Sequence, residues 1–206
     1  MKVLIGCECS QVITKEFRKI GIECYSNDLE PCYGGKPEWH IQGDVLELIN
    51  DDFDLLIAHP PSTYISNAGA RWLYPNHKLN VDRYKKGVEA TKFFNALLNC
   101  KIKHICIENP LPSKIFNLPN PTQIIQPYYF GEPYSIKTLL WLKNLPKLKP
   151  TEIINTHILY VTSGSYTDTH DKKYAGFSRK GGASKVRSKS FKGIAIAMAQ
   201  QWSNIL

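Results

Sequence analysis

The sequence predicts an α/β fold with an open, mostly parallel sheet, and three observations support this prediction. Short apolar runs alternate along the chain with segments whose apolar residues recur at helical spacing. Polar residues follow several of these runs directly, and the carboxyl ends of parallel strands are where such sheets bind ligands. The 206 residues, 43% of them hydrophobic, are sufficient for one well-buried core.

The chain begins with a predicted βαβ unit. Lys2–Gly6 is predicted as a strand, and Ser10–Ile20 as a helix because its apolar residues recur every three or four positions. Gly21 ends this helix, and Ile22–Tyr25 follows as the second strand. Asn27-Asp28 then lies at the carboxyl end of that strand.

The rest of the chain continues the alternation. The further predicted strands are Ile41–Asp44, Phe53–Ala58, His104–Ile107, Thr122–Gln126 and Thr138–Leu142. The further predicted helices are Val81–Asn99 and, at the end of the chain, Ile194–Trp202. His59-Pro60-Pro61 follows one strand and Glu108-Asn109 follows another, so both groups are expected at the ligand-binding edge.

The basic residues are unevenly distributed. The net charge is +8, but the segment 137–192 carries 12 basic and 3 acidic residues, whereas the other 150 residues have a net charge of −1. Tyr160–Ser190 is rich in Gly, Ser, Thr and Lys and is predicted to be a mobile insertion. We therefore predict a catalytic core over 1–150, a small basic insertion over 151–192 and a closing helix over 193–206 that packs back on the core. The basic block is typical of a surface for a polyanion or of a solubilising surface.

The six cysteines and the hydropathy bear on the compartment and on metal binding. No charged and apolar leader pattern and no apolar stretch of roughly 18 residues is visible, which predicts an intracellular protein with reduced thiols and no membrane partner. Cys7 and Cys9 form one Cys-x-Cys without a second paired spacing. We therefore expect no metal site and interpret the cysteines as small buried hydrophobes.

The turn after the first strand lacks the glycine spacing of a dinucleotide site and favours a smaller ligand. Ser10 is predicted to cap the following helix, leaving backbone N–H groups for a carboxylate such as that of the methionine part of S-adenosylmethionine. Asp28 is positioned to accept hydrogen bonds from ribose hydroxyls, and Asp44 follows the third strand in the same way. For each acid a surface-turn role is the alternative.

Together these residues form a familiar series. In order they are Gly6-Cys7-Glu8-Cys9-Ser10, Asp28, Gly43-Asp44, His59-Pro60-Pro61-Ser62-Thr63-Tyr64, Ile107-Glu108-Asn109-Pro110 and Tyr129-Phe130-Gly131-Glu132-Pro133 with Lys137. The series resembles the motifs of the cytosine carbon-5 DNA methyltransferases. The amino-acid sequence of these segments is similar to that of small phage-encoded members of the family. The resemblance spans most of the chain. It implies a Rossmann-like class I S-adenosylmethionine-dependent methyltransferase fold and, as location, the cytoplasm of a bacterial host.

The resemblance also implies roles for individual residues. The cofactor S-adenosylmethionine would be surrounded by Gly6, Glu8, Ser10, Asp28, Leu29, Asp44, Val45 and Pro60. Asp28 would bind its ribose, and Asp44 would lie near the adenine amino group. In catalysis Glu108 would hold cytosine N3 and the exocyclic amine beside Asn109, and Lys137 would face a phosphate or the base. The family's Gln-x-Arg-x-Arg pattern is absent after Pro133.

One departure concerns the nucleophile. In this family the residue after Pro-Pro is a cysteine whose thiolate attacks cytosine carbon 6, and here it is Ser62. A serine hydroxyl is hardly ionised near neutral pH and is a poor nucleophile. Three explanations remain open: deliberate replacement of the nucleophile, which we favour because the surrounding site reads as intact, a naturally degenerate member, or different chemistry. Cys106, which points to the same face as Glu108, is a candidate substitute nucleophile or a buried strand cysteine.

The leading functional hypothesis is a DNA cytosine-5 methyltransferase that flips its target base and is inactive with Ser62. The alternatives are a DNA-binding pseudoenzyme and an amino-methyltransferase acting on adenine or cytosine. Against the latter, the aromatic Tyr64 lies two residues later than such chemistry needs. DNA is the predicted partner, contacted by Arg71, Lys172, Lys173, Arg179, Lys180 and Arg187, with Tyr166, Tyr174 and Phe177 as candidates for touching bases.

Overall fold

The computed structural model describes residues 1–155, 159–160 and 190–204. Its main sheet contains the strands β1 (Lys2–Gly6), β2 (Glu23–Asp28), β3 (His40–Gln42), β4 (Leu55–Ala58), β5 (His104–Asn109), β6 (Gln123–Ile125) and β8 (Thr138–Lys143). Two short strands, β7 (Tyr134–Ser135) and β9 (Leu159–Tyr160), pair in parallel as a second sheet. The helices are α1 (Val12–Lys19), α2 (Val45–Leu48), α3 (Val81–Leu98) and α4 (Lys192–Trp202).

The seven strands of the main sheet lie in the order β3-β2-β1-β4-β5-β8-β6. The first five are parallel, and β8 runs antiparallel to both of its neighbours. The chain moves outward from β1 to β3 and then returns to the other side of β1 with β4. The direction of winding therefore reverses between β1 and β4, and a crevice at such a reversal is the usual ligand site of this architecture. The predicted open, mostly parallel α/β sheet is confirmed.

Two hydrophobic layers cover the sheet. Successive residues of β1 alternate between them, because side chains along a strand point to opposite faces. Val3 packs with Phe17 of α1 and Trp202 of α4, whereas Leu4 packs on the other face with Phe94 of α3. Burial on both faces explains why the central strands are continuous apolar runs rather than alternating ones.

Two of the strands that end at the ligand edge run further than predicted, and one stops earlier. β3 ends at Gln42 instead of the predicted Asp44, and Asp44 caps α2. β2 continues through Asp28, and β5 continues through Glu108 and Asn109, so these polar residues belong to the strands instead of following them. β5 is extended because the antiparallel strand β8 pairs with it up to Asn109, opposite Leu139. The single turn of α2 and the small β7–β9 sheet were not predicted, since neither has enough residues to show a period.

The N-terminus of α4 is fixed to the segment before β7. The backbone N–H of Gly193 donates to Oε1 of Glu132 at 2.6 Å. A Cβ on Gly193 would lie 1.8 Å from the carbonyl oxygen of Phe130, so only glycine fits this approach. Phe130 and Glu132, which belong to the motif series, therefore hold the closing helix on the core. In the described part of the chain, no helix is long and apolar enough to cross a membrane.

Candidate functional site

The turns that follow β1, β2 and β4 are linked at the reversal point. The N–H of His59, directly after β4, donates to the carbonyl of Gly6 at 3.0 Å, and the N–H of Glu8 donates to the carbonyl of Asn27 at 2.8 Å. The first bond extends the ladder between β1 and β4 by one residue, and the second joins the turn after β1 to the end of β2. The side chains of the three turns are therefore held at one edge.

The turn after β1 is closed by its own carboxylate. Glu8 is 3% exposed, and its oxygens accept from the N–H of Ile13 at 2.9 Å, the N–H of Thr14 at 3.4 Å and the hydroxyl of Thr14 at 2.8 Å. Ser10 donates to the same carboxylate at 3.3 Å. The predicted Ser10 cap is wrong, because Glu8 already takes the backbone N–H groups at the start of α1 and Gln11 is the residue at the cap position. Those groups are not available for a ligand carboxylate.

Asp28 and Asp44 lie around Cys7 at the ends of β2 and β3. Burial raises the pKa of the Cys7 thiol to about 12, and the charges of Asp28 and Asp44 add to this effect. Asp28 also accepts the N–H of Glu30 at 3.1 Å, and Asp44 caps α2 by accepting the N–H of Leu46 at 3.0 Å. Both acids therefore make local turn bonds, and both lie close enough to Cys7 for their charges to act on its thiol.

The remaining predicted cofactor residues have different environments. Val45 is buried, and a Cβ on Gly6 would lie 2.9 Å from its Cγ2, so Gly6 allows α2 to pack against β1. Pro60 is buried, whereas Leu29 is 70% exposed. An exposed leucine beside Asp28 is an apolar surface that a flat ring system can cover.

His59 and Glu108 form an ion pair across the ends of β4 and β5. Nδ1 of His59 lies 2.8 Å from Oε2 of Glu108, and the side chains are 16% and 25% exposed. Burial alone lowers the pKa of His59, but the charge of Glu108, its hydrogen bond and the charge of Glu8 together raise it above the ordinary value. The other ring nitrogen, Nε2, is buried and has no partner among the described residues. The imidazole therefore holds Glu108 on one side and offers an unused polar atom on the other.

The loops after β4 and β5 are fastened to each other. The side-chain N–H of Asn109, which is buried, donates to the carbonyl of Pro60 at 3.1 Å. Further on, the N–H of Asn67 donates to the carbonyl of Leu111, and the N–H of Ser113 to that of Ile65. Asn109, predicted to be catalytic, thus positions the Pro-Pro turn.

Ser62 lies at the end of this turn and is partly exposed. Its carbonyl accepts from the N–H of Ser66 at 2.8 Å. Among the described residues no side chain is hydrogen-bonded to its hydroxyl, and His59 is bonded to Glu108 instead. Cys106 is fully buried, and burial raises the pKa of its thiol well above the ordinary value, so it has the properties of a buried strand cysteine and not of a nucleophile.

Three of the cysteines are more exposed than predicted. All six cysteines lie in the described part and are free, but Cys7, Cys9 and Cys32 are only half-buried, which corrects their interpretation as buried hydrophobes.

Lys137 is exposed just before β8, at the same edge as Asn109. Arg71 is exposed and stacks on Trp72. The other predicted DNA-contacting residues lie outside the described residues: Lys172, Lys173, Arg179, Lys180 and Arg187, together with Tyr166, Tyr174 and Phe177.

Sequence reasoning missed the pairing of His59. The available signal was a histidine directly after one buried strand and a glutamate at the end of the next strand, which the parallel order brings to neighbouring positions. No cluster of three or more His, Cys, Asp or Glu residues that could hold a metal ion occurs within 1–155, 159–160 and 190–204.

Comparison with known proteins gives weak structural matches. No protein-family model and no curated protein matches the chain. Among solved structures, one described as a putative DNA modification methyltransferase encoded within a prophage of E. coli has a TM-score of 0.46 and 13% identity, covering 75% of this chain and 52% of that one. The Entamoeba histolytica methyltransferase EhMeth has a TM-score of 0.47 and 16% identity, covering 75% of this chain and 57% of that one. The chain spans little more than half of either protein, and the similarity is weak in both structure and sequence.

Proposed function

We propose that the protein is an S-adenosylmethionine-dependent DNA methyltransferase of the cytosine carbon-5 type, with Ser62 in place of the nucleophile. The observation that carries the proposal is the juxtaposition of the Pro60-Pro61-Ser62 turn with the paired side chains of His59 and Glu108, across the ends of β4 and β5 and next to the reversal point of the sheet. A nucleophile position next to a carboxyl group that is held but still partly exposed suits chemistry on a planar base.

The residues at the ends of β1, β2 and β3 fit the adenosine part of the cofactor. Asp28 and Asp44 supply acceptors for hydroxyl and amino groups, and Leu29 supplies an exposed apolar surface. The fit does not extend to a cofactor carboxylate at the start of α1, because Glu8 takes those N–H groups. When bound, S-adenosylmethionine supplies the methyl group as an electrophile.

Glu108 is the residue proposed to hold the base. Its carboxyl group would contact N3 and the exocyclic amine of cytosine while its Oε2 stays on His59. Because the pKa of His59 is raised, the imidazole keeps its proton to higher pH than an ordinary histidine. His59 therefore fixes the orientation of Glu108 and keeps a proton next to the group that stabilises charge developing at N3.

The missing step is nucleophilic addition. A cysteine in place of Ser62 would form a bond from its thiolate to carbon 6, and the displaced electron pair would make carbon 5 nucleophilic. Loss of the carbon-5 proton and expulsion of the thiolate after methylation would restore the ring. Ser62 lacks both the acidity of a thiol and a base on its hydroxyl within the described residues, so the protein with serine there should turn over near background.

The test is to compare the protein with its Ser62→Cys variant on DNA with labelled cofactor. Mass spectrometry of the released nucleosides should detect 5-methylcytosine only with Ser62→Cys. DNA containing 5-fluorocytosine should then trap a covalent complex, because fluorine blocks the proton loss that frees the enzyme. Glu108→Gln in the Ser62→Cys background should lower turnover by about two orders of magnitude or more. Methylation of an amino group, or cytosine-5 methylation at an equal rate by the Ser62 protein, would contradict the proposal.

Cofactor binding is tested separately by thermal unfolding. At a hundredfold excess over its dissociation constant, a ligand that binds only the folded state stabilises it by about 2.7 kcal/mol. Asp28→Ala should reduce the shift caused by S-adenosylmethionine, whereas Asp52→Ala, an exposed acid away from this edge, should retain it. An equal shift in both variants would exclude Asp28 from the site.

A second candidate is a DNA-binding pseudoenzyme, favoured by the absence of a hydrogen-bonded base on Ser62 in the described part of the chain. This hypothesis predicts cofactor and DNA binding without turnover, both in the unmodified protein and in Ser62→Cys. Turnover by Ser62→Cys would therefore exclude it.

A further inference from the structure

A groove of about 630 Å³ lies beside the turn that carries Ser62, and the site described above does not use it. The loop after β4 forms one wall and the first two turns of α3 form the other. Its lining residues are Tyr64, Trp72, Pro75, Asn80, Asp82, Arg83 and Lys86. Because Tyr64 is only two positions after Ser62, a chain of nucleotides whose base occupies the site would pass this groove.

Two cations of α3 are arranged over one aromatic ring. Cζ of Arg83 lies 5.1 Å and Nζ of Lys86 5.5 Å from the ring centre of Tyr64. Arg83 also donates through Nη2 to the carbonyl of Thr63 at 2.6 Å, and its N–H is capped by Asn80 at 3.0 Å. The three-residue spacing puts both cations on the same face of the helix. The positive wall of the groove is therefore anchored rather than loosely solvated.

The other wall exposes a large aromatic ring. Trp72 is 57% exposed, whereas Trp141 is 2% exposed and Trp202 is fully buried. The guanidinium of Arg71 lies 4.9 Å from the ring centre of Trp72. Exposing the apolar ring of a tryptophan to water is unfavourable in the isolated protein. Next to cations, the same ring offers a stacking surface to a ligand.

The charge of this region matches a polyanion. Residues 62–86 include five basic residues and one acidic residue, Asp82. Cations alone would also suit an acidic peptide. Cations interleaved with exposed aromatic rings favour nucleic acid, since phosphates bind the cations while bases stack on the rings.

We propose that this groove binds the single-stranded DNA segment adjacent to the target base, with phosphates on Arg83 and Lys86 and a base stacked on Trp72. The assignment to DNA rests on the proposed function. The groove is formed by its own lining residues, apart from the residues proposed to hold the base and the cofactor, so strand binding is measurable without any methyl transfer.

The test measures binding of a labelled oligothymidine of about 12 nucleotides to the full chain, within the usual range of single-strand site sizes. Trp72→Leu should weaken binding about tenfold and abolish most of the quenching of tryptophan fluorescence, because stacking is lost at an exposed position. Tyr74→Leu removes a 47% exposed ring that does not line the groove, and it should leave both readouts unchanged.

Adjacent lysines provide the matched control for charge. Lys86 lines the groove, whereas the exposed Lys85 does not. Lys86→Gln should weaken binding and flatten the logarithmic salt slope by about 0.7, the value for one phosphate on a single strand. Lys85→Gln should leave the slope unchanged. Equal losses of affinity in the two variants would contradict a specific binding site in the groove, since they would indicate only a general attraction to positive charge.

The outcomes also separate this inference from the proposed function. If methylation by Ser62→Cys is insensitive to Trp72→Leu and Lys86→Gln, the groove does not bind the DNA strand, whereas the proposed function is unaffected. If these groove substitutions weaken strand binding but Ser62→Cys does not methylate DNA, the groove is supported as a strand-binding site and the proposed function is contradicted. Tighter binding of an RNA oligomer or of an acidic peptide by about tenfold or more would overturn the assignment to DNA.

Discussion

The turn after β1 and the end of β5 each carry a glutamate near the middle of the sheet, but the two glutamates are used differently. Glu8 is buried and receives four hydrogen bonds from its own turn and from α1. Glu108 is paired with a single imidazole and stays 25% exposed. A carboxylate whose lone pairs are filled by neighbouring donors fixes local structure, whereas one held on one side only can still bind a substrate.

The resemblance assigned both glutamates to the site, Glu8 to the cofactor and Glu108 to the base. The distinction depends on the donors around each carboxylate. Thr14, the main side-chain partner of Glu8, is six residues away and buried in α1, and its position in the helix gives no sign of this contact. The difference between a structural and a chemical carboxylate was therefore not predictable from position along the chain.

The largest expected effect that tests this comparison is the loss of stability in Glu8→Ala. Removing the carboxylate leaves the hydroxyl of Thr14 and the first N–H groups of α1 buried without partners, at roughly 1–3 kcal/mol each. We expect the free energy of unfolding to fall by about 3 kcal/mol or more, measured by urea denaturation. Glu108→Ala is the control and should lower it by no more than about 1.5 kcal/mol, because this partly solvated carboxylate makes a single charge-assisted hydrogen bond, to His59. Similar losses in the two variants would contradict the comparison.

The second prediction concerns the pH dependence of the His59–Glu108 pair. Because the pKa of His59 is raised in the folded state, the stabilisation is fully present below the ordinary histidine pKa and is lost as the pH rises through the folded value. A charge-assisted hydrogen bond of this kind contributes about 1.5 kcal/mol. The stability difference between the protein and Glu108→Gln should therefore shrink as the pH rises through that window.

NMR titration of the histidine rings gives the direct measurement. The His59 signal should titrate above the ordinary value of about 6.5 in the protein and lower in Glu108→Gln, where burial acts without the opposing charge. His77, which lies in an exposed turn, serves as the reference ring. A His59 signal that titrates below about 6.5 in the unmodified protein would mean that burial outweighs the pair.

The fold was largely predictable because it follows from periodicity. The central strands β1, β4 and β5 are mostly apolar runs, and α3 begins at the predicted Val81 and ends one residue before the predicted end. What failed were features decided by single contacts, such as the cap of α1 and the pairing of His59. The cationic groove was missed for another reason, because the positive charge of residues 62–86 was averaged with the acidic surroundings when only the block 137–192 was considered.

The smallest expected effect is that of Ser10→Ala. If Ser10 capped α1, its removal would cost about 1 kcal/mol. The hydroxyl instead makes one long bond of 3.3 Å to a carboxylate that three other bonds already hold, so we expect a loss of about 0.5 kcal/mol or less. Thr14→Val, which keeps the side-chain shape and removes a 2.8 Å bond to the same carboxylate, is the matched comparison and should cost clearly more. Urea denaturation of both variants shows which hydroxyl contributes more to the free energy of unfolding. A larger loss for Ser10→Ala than for Thr14→Val would mean that the start of α1 depends on Ser10 after all and that Glu8 is available to a ligand.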